Sequence, residues 1–411
     1  MNRLPVEMKA IIVDHAAQRL DFGALAALAR VSKEWSGLAI DGLYRSFVFD
    51  DTLHRVSSLQ QYVLALVRNP KLAERVQQVE INIRQEDNDG CQCLETIRSM
   101  QPLRTLVKEL KQSDGDLPES LRSENRSVVL GLLLTQLPRV RKITLGLPKS
   151  TTQAYLAQVI TWIEKGGAGL PLPSGPSLRR VEEFHVWPRE PTFILPDMHY
   201  WTVWPNLAKN VLSLRTLKKV SILNLDVLGP ALNGESLPSS VGGLDFGNRI
   251  QHLALYYETA NFSRNTAISV IGACSGLKSL RFVVAVSVAP SSPPFRQRLG
   301  AAIARSRLSL QKIFLMLPDV EFDGDSIGSF RGFPQLRYLF INILALLEAS
   351  KQEDLALPDI LPASLAELYV EGLLYLCRNV PPKGTVKALV RQVDSLLQAK
   401  RNGQLPELRG K

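Results

Sequence analysis

The chain has 411 residues and a net charge of +10, from 49 Lys and Arg against 39 Asp and Glu, and is 45% hydrophobic and 21% charged. That balance excludes wholesale disorder and allows a large buried core, while four cysteines in so long a chain exclude a disulfide framework and point to a reducing compartment. The opening residues lack the apolar stretch and small-residue cleavage site of a secretory leader, and apolar runs such as Val128 to Leu134 fall short of the ~20 residues of a membrane span, so a soluble protein of the cytoplasm, the nucleus or both is expected.

Taken in chain order, the first elements are helical. Leu4-Pro5 opens a helix, with Pro5 suited to the first turn, and Met8, Ile11, Ile12 and His15 follow at i, i+3, i+4 and i+7 along one stripe. Asp21 is placed to cap a second helix containing Leu25 and Leu28, and Ser32 a third running through Trp35, Leu38 and Leu43. Three short helices cannot bury much by themselves, so their leftover apolar surface needs a partner.

Beyond residue 51 one short phrase recurs: apolar, any residue, apolar, usually led by apolar residues three and six positions earlier. It reads Val76, Val79, Ile81, then Val140, Ile143, Leu145, then Val181, Phe184, Val186, then Leu217, Val220, Ile222. It continues as Ile250, Leu253, Leu255, then Leu277, Leu280, Phe282, then Leu310, Ile313, Leu315, then Leu336, Leu339, Ile341, and lastly Leu365, Leu368, Val370. This is the L-x-x-L-x-L phrase of a leucine-rich repeat, a short strand that sends alternate side chains into the core. From Val220 onward successive copies stand 26 to 33 residues apart. The earlier copies are looser and leave room for insertions around 85–127 and 165–177.

Helical patterns alternate with the phrases. Leu156, Val159, Ile160 and Ile163 share a face, and 265–273 and 295–304 behave similarly. The fold class expected is therefore α/β: a helical module over 1–50, then a curved solenoid over 51–411 with parallel strands on the concave face. An amphipathic helix around 386–400 closes it as a cap, and LPELR from Leu405 resembles the start of one more phrase.

The first module also carries a family resemblance. Its Leu-Pro-x-Glu opening, the Val-Ser-Lys-x-Trp core, and the following Leu-Ala and Leu-Tyr-Arg resemble an F-box over residues 4 to about 49. F-box followed by leucine-rich repeats is similar to a large set of fungal proteins. The resemblance implies docking on a Skp-type adaptor, and through it on a cullin ubiquitin ligase, while the repeats hold a protein substrate. The adaptor-facing residues it implies are Leu4, Pro5, Met8, Leu28, Val31 and Trp35. The alternative for these helices is a cap that packs onto the first repeat.

Catalytic signatures are lacking. There is no phosphate-binding glycine loop, no G-x-S-x-G and no H-E-x-x-H. The five histidines are isolated, Cys91 and Cys93 have no second pair at zinc spacing, and GGAGLPLPSGP reads as a flexible insertion, so neither cofactor nor metal is expected. The informative row is the residue between the two apolar positions, which alternation turns away from the core: Glu80, Thr144, His185, Ser221, Ala254, Arg281, Phe314, Phe340, Tyr369. The next outward row adds Trp187, Tyr256, Met316 and Glu371. Arg and aromatic side chains are the usual anchors of protein recognition, so Trp187, Tyr256, Arg281, Phe314, Met316, Phe340 and Tyr369 form the candidate substrate surface.

Three functions follow as expectations. The first is a non-catalytic substrate receptor of a Skp-cullin-F-box ubiquitin ligase. The second is a repeat scaffold without a ubiquitination role. The third, a nucleic-acid binder, rests only on the +10 charge.

Overall fold

The computed structural model describes residues 4–19, 21–50, 56–83, 126–146, 156, 159–160, 163, 178–187, 205–223, 246–257, 264–284, 295–317, 327–342, 356–371 and 385–409. The expected insertion at 165–177 and nearly all of that at 85–127 lie outside these residues. The chain forms two compact units, one of Met1–Trp201 with Asn206–Leu217, the other of Thr202–Pro205 with Lys218–Lys411.

The first unit opens with three helices, α1 (Val6–Gln18), α2 (Phe22–Ala29) and α3 (Lys33–Arg45). Both expected caps form: Asp21 accepts from the Ala24 N–H at 2.9 Å and Ser32 Oγ from the Trp35 N–H at 3.3 Å, each satisfying a first-turn donor. Val13, Leu25 and Trp35 make the core of this module, with Ala16, Ala17, Leu28, Leu38 and Leu43 packed around them. Gly42 permits the close approach. A Cβ there would stand 3.2 Å from Leu25 Cδ2 and 3.3 Å from Val13 Cγ1.

Four strands follow in this unit, β1 (Ser46–Asp50), β2 (Gln78–Asn82), β3 (Lys142–Gly146) and β4 (Glu183–Trp187), parallel and side by side in chain order. The register equates Val79, Ile143 and Phe184, as the phrase alignment requires. Sequence reading placed residues 46–50 in the helical module, whereas they form the first strand, with Phe47 beside Val79 and Phe49 beside Ile81. The apolar-x-apolar core of the phrase is present there. Tyr44, in the last turn of α3, holds the lead position three residues before Phe47, but Asp41 stands where the apolar residue six earlier would be. Between strands lie α4 (Val56–Arg68), α5 (Pro70–Ala73) and α6 (Arg126–Thr135), and Leu156, Val159, Ile160 and Ile163 are helical and buried as their spacing predicts. Most of α7 (Pro205–Ser213) belongs to this unit as well.

The second unit carries β5 (Lys219–Leu223), β6 (His252–Tyr257), β7 (Ser279–Val284), β8 (Lys312–Met316), β9 (Tyr338–Asn342) and β10 (Glu367–Glu371), again parallel and in chain order. Val220, Leu253, Leu280, Ile313, Leu339 and Leu368 stand in one register row. Among the described residues its helices are α8 (Arg264–Gly272), α9 (Phe295–Ala304), α10 (Leu357–Ile360) and α11 (Thr385–Arg401). The fold is thus α/β with sequentially ordered parallel strands in each unit, and no helix among the described residues is long and apolar enough to cross a membrane.

What stacks one phrase on the next is a repeated set of polar ties. The residue before each strand donates its N–H to the carbonyl of its counterpart one phrase earlier. In the first unit Gln77 donates to Arg45, Arg141 to Gln77 and Glu182 to Arg141, all at 2.8–2.9 Å. In the second, Gln251 donates to Lys218, Lys278 to Gln251, Gln311 to Lys278, Arg337 to Gln311 and Ala366 to Arg337, at 2.7–2.9 Å. Four residues before the first strand apolar, a hydroxyl repeats the device: Thr216 donates to Val181, Ser309 to Leu277 and Ser364 to Leu336, at 2.8–2.9 Å. Side-chain ties of this kind satisfy carbonyls that the strand ladder does not reach.

The carboxyl-terminal helix ends as its sequence dictates. Gly403, at φ 76°, takes the left-handed position, and Gln404 and Gly403 donate back to Ala399 and Lys400. Leu405 is then buried and the Arg409 N–H bonds the Ala366 carbonyl at 2.9 Å, so the LPELR segment takes the register of a further phrase.

Candidate interaction surfaces

In the first unit α1 is oriented by its small and polar residues rather than by its large apolar ones. Lys9 and Val13 are buried, with Ala16 and Ala17 against the same core. The Lys9 ammonium reaches Glu34 at 2.5 Å and lies 5.9 Å from the Trp35 ring centroid, so its stem packs while its charge is paired. The stripe read from the sequence consequently faces outward: Met8, Ile11 and Ile12 are 47%, 60% and 40% exposed. Leu4, Val6 and Val31 are also exposed large apolar residues, and Pro5 is exposed beside them. Of the residues implied to face an adaptor, Leu4, Pro5, Met8 and Val31 are on the surface. Leu28 is half-buried against the helical core, and Trp35 is fully inside it, only 1% exposed. Trp35 therefore holds the three helices together; its indole N–H has no hydrogen-bond partner among the described residues.

In the second unit the residues of the outward rows converge. Arg281 on β7 is exposed, and its guanidinium carbon lies 4.4 Å from the Phe314 ring centroid on β8 and 5.4 Å from the Tyr256 ring on β6. Phe314 stacks on Phe340 of β9 at 4.0 Å with the planes 12° apart. Tyr338 and Tyr369 pack at 5.3 Å, and the Tyr369 hydroxyl donates to Glu367 at 3.2 Å. Burial, then the neighbouring Tyr369 and Glu367, push the Tyr338 phenol above its ordinary range, with Arg281 opposing them. An arginine held between rings keeps its planar fork available, at a cation–π gain of about 0.5–1 kcal/mol for an exposed site.

Five of the seven sequence-derived residues, Tyr256, Arg281, Phe314, Phe340 and Tyr369, are linked in this way or lie within the same cluster. Met316 is half-buried at the outward end of β8, in register with Val283. Trp187 ends β4 in the other unit, and its side chain, like that of Glu371, is outside the described residues. Sequence reasoning missed Tyr338 and Glu367. Both precede the first apolar position of a strand, so the same alternation that selected Phe340 and Tyr369 also turns them outward.

The remaining candidates for chemistry do not assemble. His185 is buried with Nε2 3.4 Å from Glu183, and Cys274 is a buried free thiol whose Sγ lies 3.4 Å from the Val270 carbonyl. Among the described residues no group of three His, Cys, Asp or Glu is placed to hold a metal. Cys91, Cys93, Cys377, His54 and His199 lie outside those residues. No family model matches this chain, and no curated protein matches its sequence.

Proposed function

We propose that this chain is a non-catalytic substrate receptor of a Skp-cullin-F-box ubiquitin ligase, of the fungal type that joins an F-box to leucine-rich repeats. In this reading α1 to α3 are the F-box, the phrase-bearing strands and their helices are the repeats, and the outward face of β6 to β10 is the substrate site. The observation that carries it is the outward apolar stripe of α1, Met8, Ile11 and Ile12, on a helix whose buried side is lysine, valine and alanine. A helix that only capped the sheet would bury its largest apolar residues; one that docks a partner presents them. The four sequence landmarks of the F-box, in order over the same helices, support the same reading. The adaptor would carry the receptor to the cullin, and the ligase's other subunits would transfer ubiquitin to lysines on the captured protein.

The test is co-purification of the full chain with a purified Skp-type adaptor and its cullin, beside a Met8→Asp, Ile11→Asp variant. Adaptor and cullin bound by the wild type and lost from the folded variant are the expected outcome. The wild type binding neither would sink the proposal and leave a repeat scaffold without a ubiquitination role.

A further inference from the structure

We propose that the outward face of β6 to β9 takes an acidic peptide segment, with a carboxylate on Arg281 and an apolar or aromatic side chain on the Phe314–Phe340 stack. The inference rests on the reading of this face as the substrate site and names the class of substrate. Charge is the first argument. Strands β5 to β9 contain no Asp or Glu, while their outward positions carry Lys219, His252, Arg281 and Lys312. Among the described residues Arg281 makes no ion pair; its contacts are rings on the two neighbouring strands. Those rings leave its N–H donors for a ligand, and a planar carboxylate meets a guanidinium in two parallel bonds.

Position is the second argument. Phe340 lies two strands from Arg281 in the same register row. The guanidinium lies 4.4 Å from the Phe314 ring, and the Phe340 ring lies 4.0 Å beyond that one, so the far ring of the stack is no more than about 8 Å from the guanidinium, roughly two residues of extended peptide. Lys312, exposed on β8 two residues before Phe314, adds a second positive charge to one side of that path, in the row of Ser279 and Tyr338. The recognised sequence therefore carries Asp or Glu about two positions from an aromatic or large aliphatic residue, and it crosses the strands rather than adding to a sheet edge.

The test pans displayed random 12-residue peptides on the immobilised full-length chain and, in parallel, on R281Q and F314A variants that melt at the wild-type temperature. The wild type should enrich peptides with that acid-to-apolar spacing. A synthetic winner should bind at least tenfold more weakly when its acid is amidated or when Arg281→Gln is the target. No acidic enrichment, or the same winners at the same affinity on R281Q, would overturn the inference. A phosphoserine in place of the acid that binds tenfold more tightly would overturn the carboxylate assignment. Adaptor and cullin capture, run on the same variants, separates the two readings. Capture intact without acidic peptides rejects this inference alone, and peptide binding without capture rejects the ligase role while the site stands.

Discussion

Replacing Trp35 and replacing the outward residues of α1 should have opposite consequences, and that contrast tests the orientation on which the adaptor surface depends. Trp35 is 1% exposed and forms the core of the three-helix module with Val13 and Leu25. Truncating a buried Trp to Ala costs about 3–5 kcal/mol through lost transfer energy and the cavity left behind. Three short helices cannot absorb that loss, so Trp35→Ala should unfold α1 to α3. Trp35→Phe should be far milder, because it keeps most of the volume and deletes an indole N–H that has no partner. Met8→Asp and Ile11→Asp, at 47% and 60% exposure, should each change stability by no more than about 0.5 kcal/mol. Urea unfolding followed by far-UV circular dichroism, with hydrogen exchange of residues 6–45, reads both effects. The reasoning fails if Trp35→Ala unfolds at the wild-type urea concentration, or if Met8→Asp melts the module, since either result reverses the face assignment.

Three further outcomes follow from the packing. Ser306, 1% exposed, donates to the Cys274 carbonyl at 2.5 Å and accepts from the Leu277 N–H at 3.3 Å, so Ser306→Ala should cost about 1–3 kcal/mol in denaturant titration by stranding both groups. In α9 a Cβ on Gly300 would sit 1.9 Å from the Ile327 carbonyl oxygen, whereas one on Gly37 of α3 meets nothing within 4 Å. Gly300→Ala should therefore destabilise, its ~1–3 kcal/mol of overpacking outweighing the ~1 kcal/mol gain in helix propensity. Gly37→Ala should stabilise by about 0.5–1 kcal/mol, and equal thermal shifts for the pair would contradict this. Tyr62 stacks on Phe47 at 3.7 Å with its hydroxyl unpartnered, and burial, aided by Tyr44, holds the phenol well above its ordinary value near 10. Its contribution is complete below pH of about 10, where the unfolded phenol is still neutral, and is lost as pH rises from there toward the folded value. Tyr62→Phe should flatten that alkaline decline without loss at pH 7; an unchanged slope of stability against pH above 10 would speak against it.

Much of the architecture is local and was therefore legible in the chain. The apolar-x-apolar phrase has period two, which fixes the register of neighbouring copies, and Val220, Leu253, Leu280, Ile313, Leu339 and Leu368 stand in one row as that period requires. Caps at Asp21 and Ser32 and the helix at Phe295–Ala304 depend on neighbours within a few residues, and they formed where expected. The outward row, and with it Arg281, Phe314, Phe340 and Tyr369, came from the same alternation.

Choices between faces and partners are a different matter, because they depend on what lies across the packing interface. An amphipathic stripe marks two sides of a helix but not which one turns inward; the alanines of α1 and the Lys9–Glu34 pair settled that by letting α3 approach closely, leaving Met8, Ile11 and Ile12 outside. Trp35 went into the core and not onto a partner's surface for the same reason. Ser46–Asp50 lacks a full phrase and became a strand through pairing with β2, a contact more than thirty residues away in the chain. The setting of Arg281 between Tyr256 and Phe314 likewise brings together three strands distant in sequence. Periodicity and capping act over one or two turns and so can be read from the chain, whereas the energy of burial is decided only when separate segments meet.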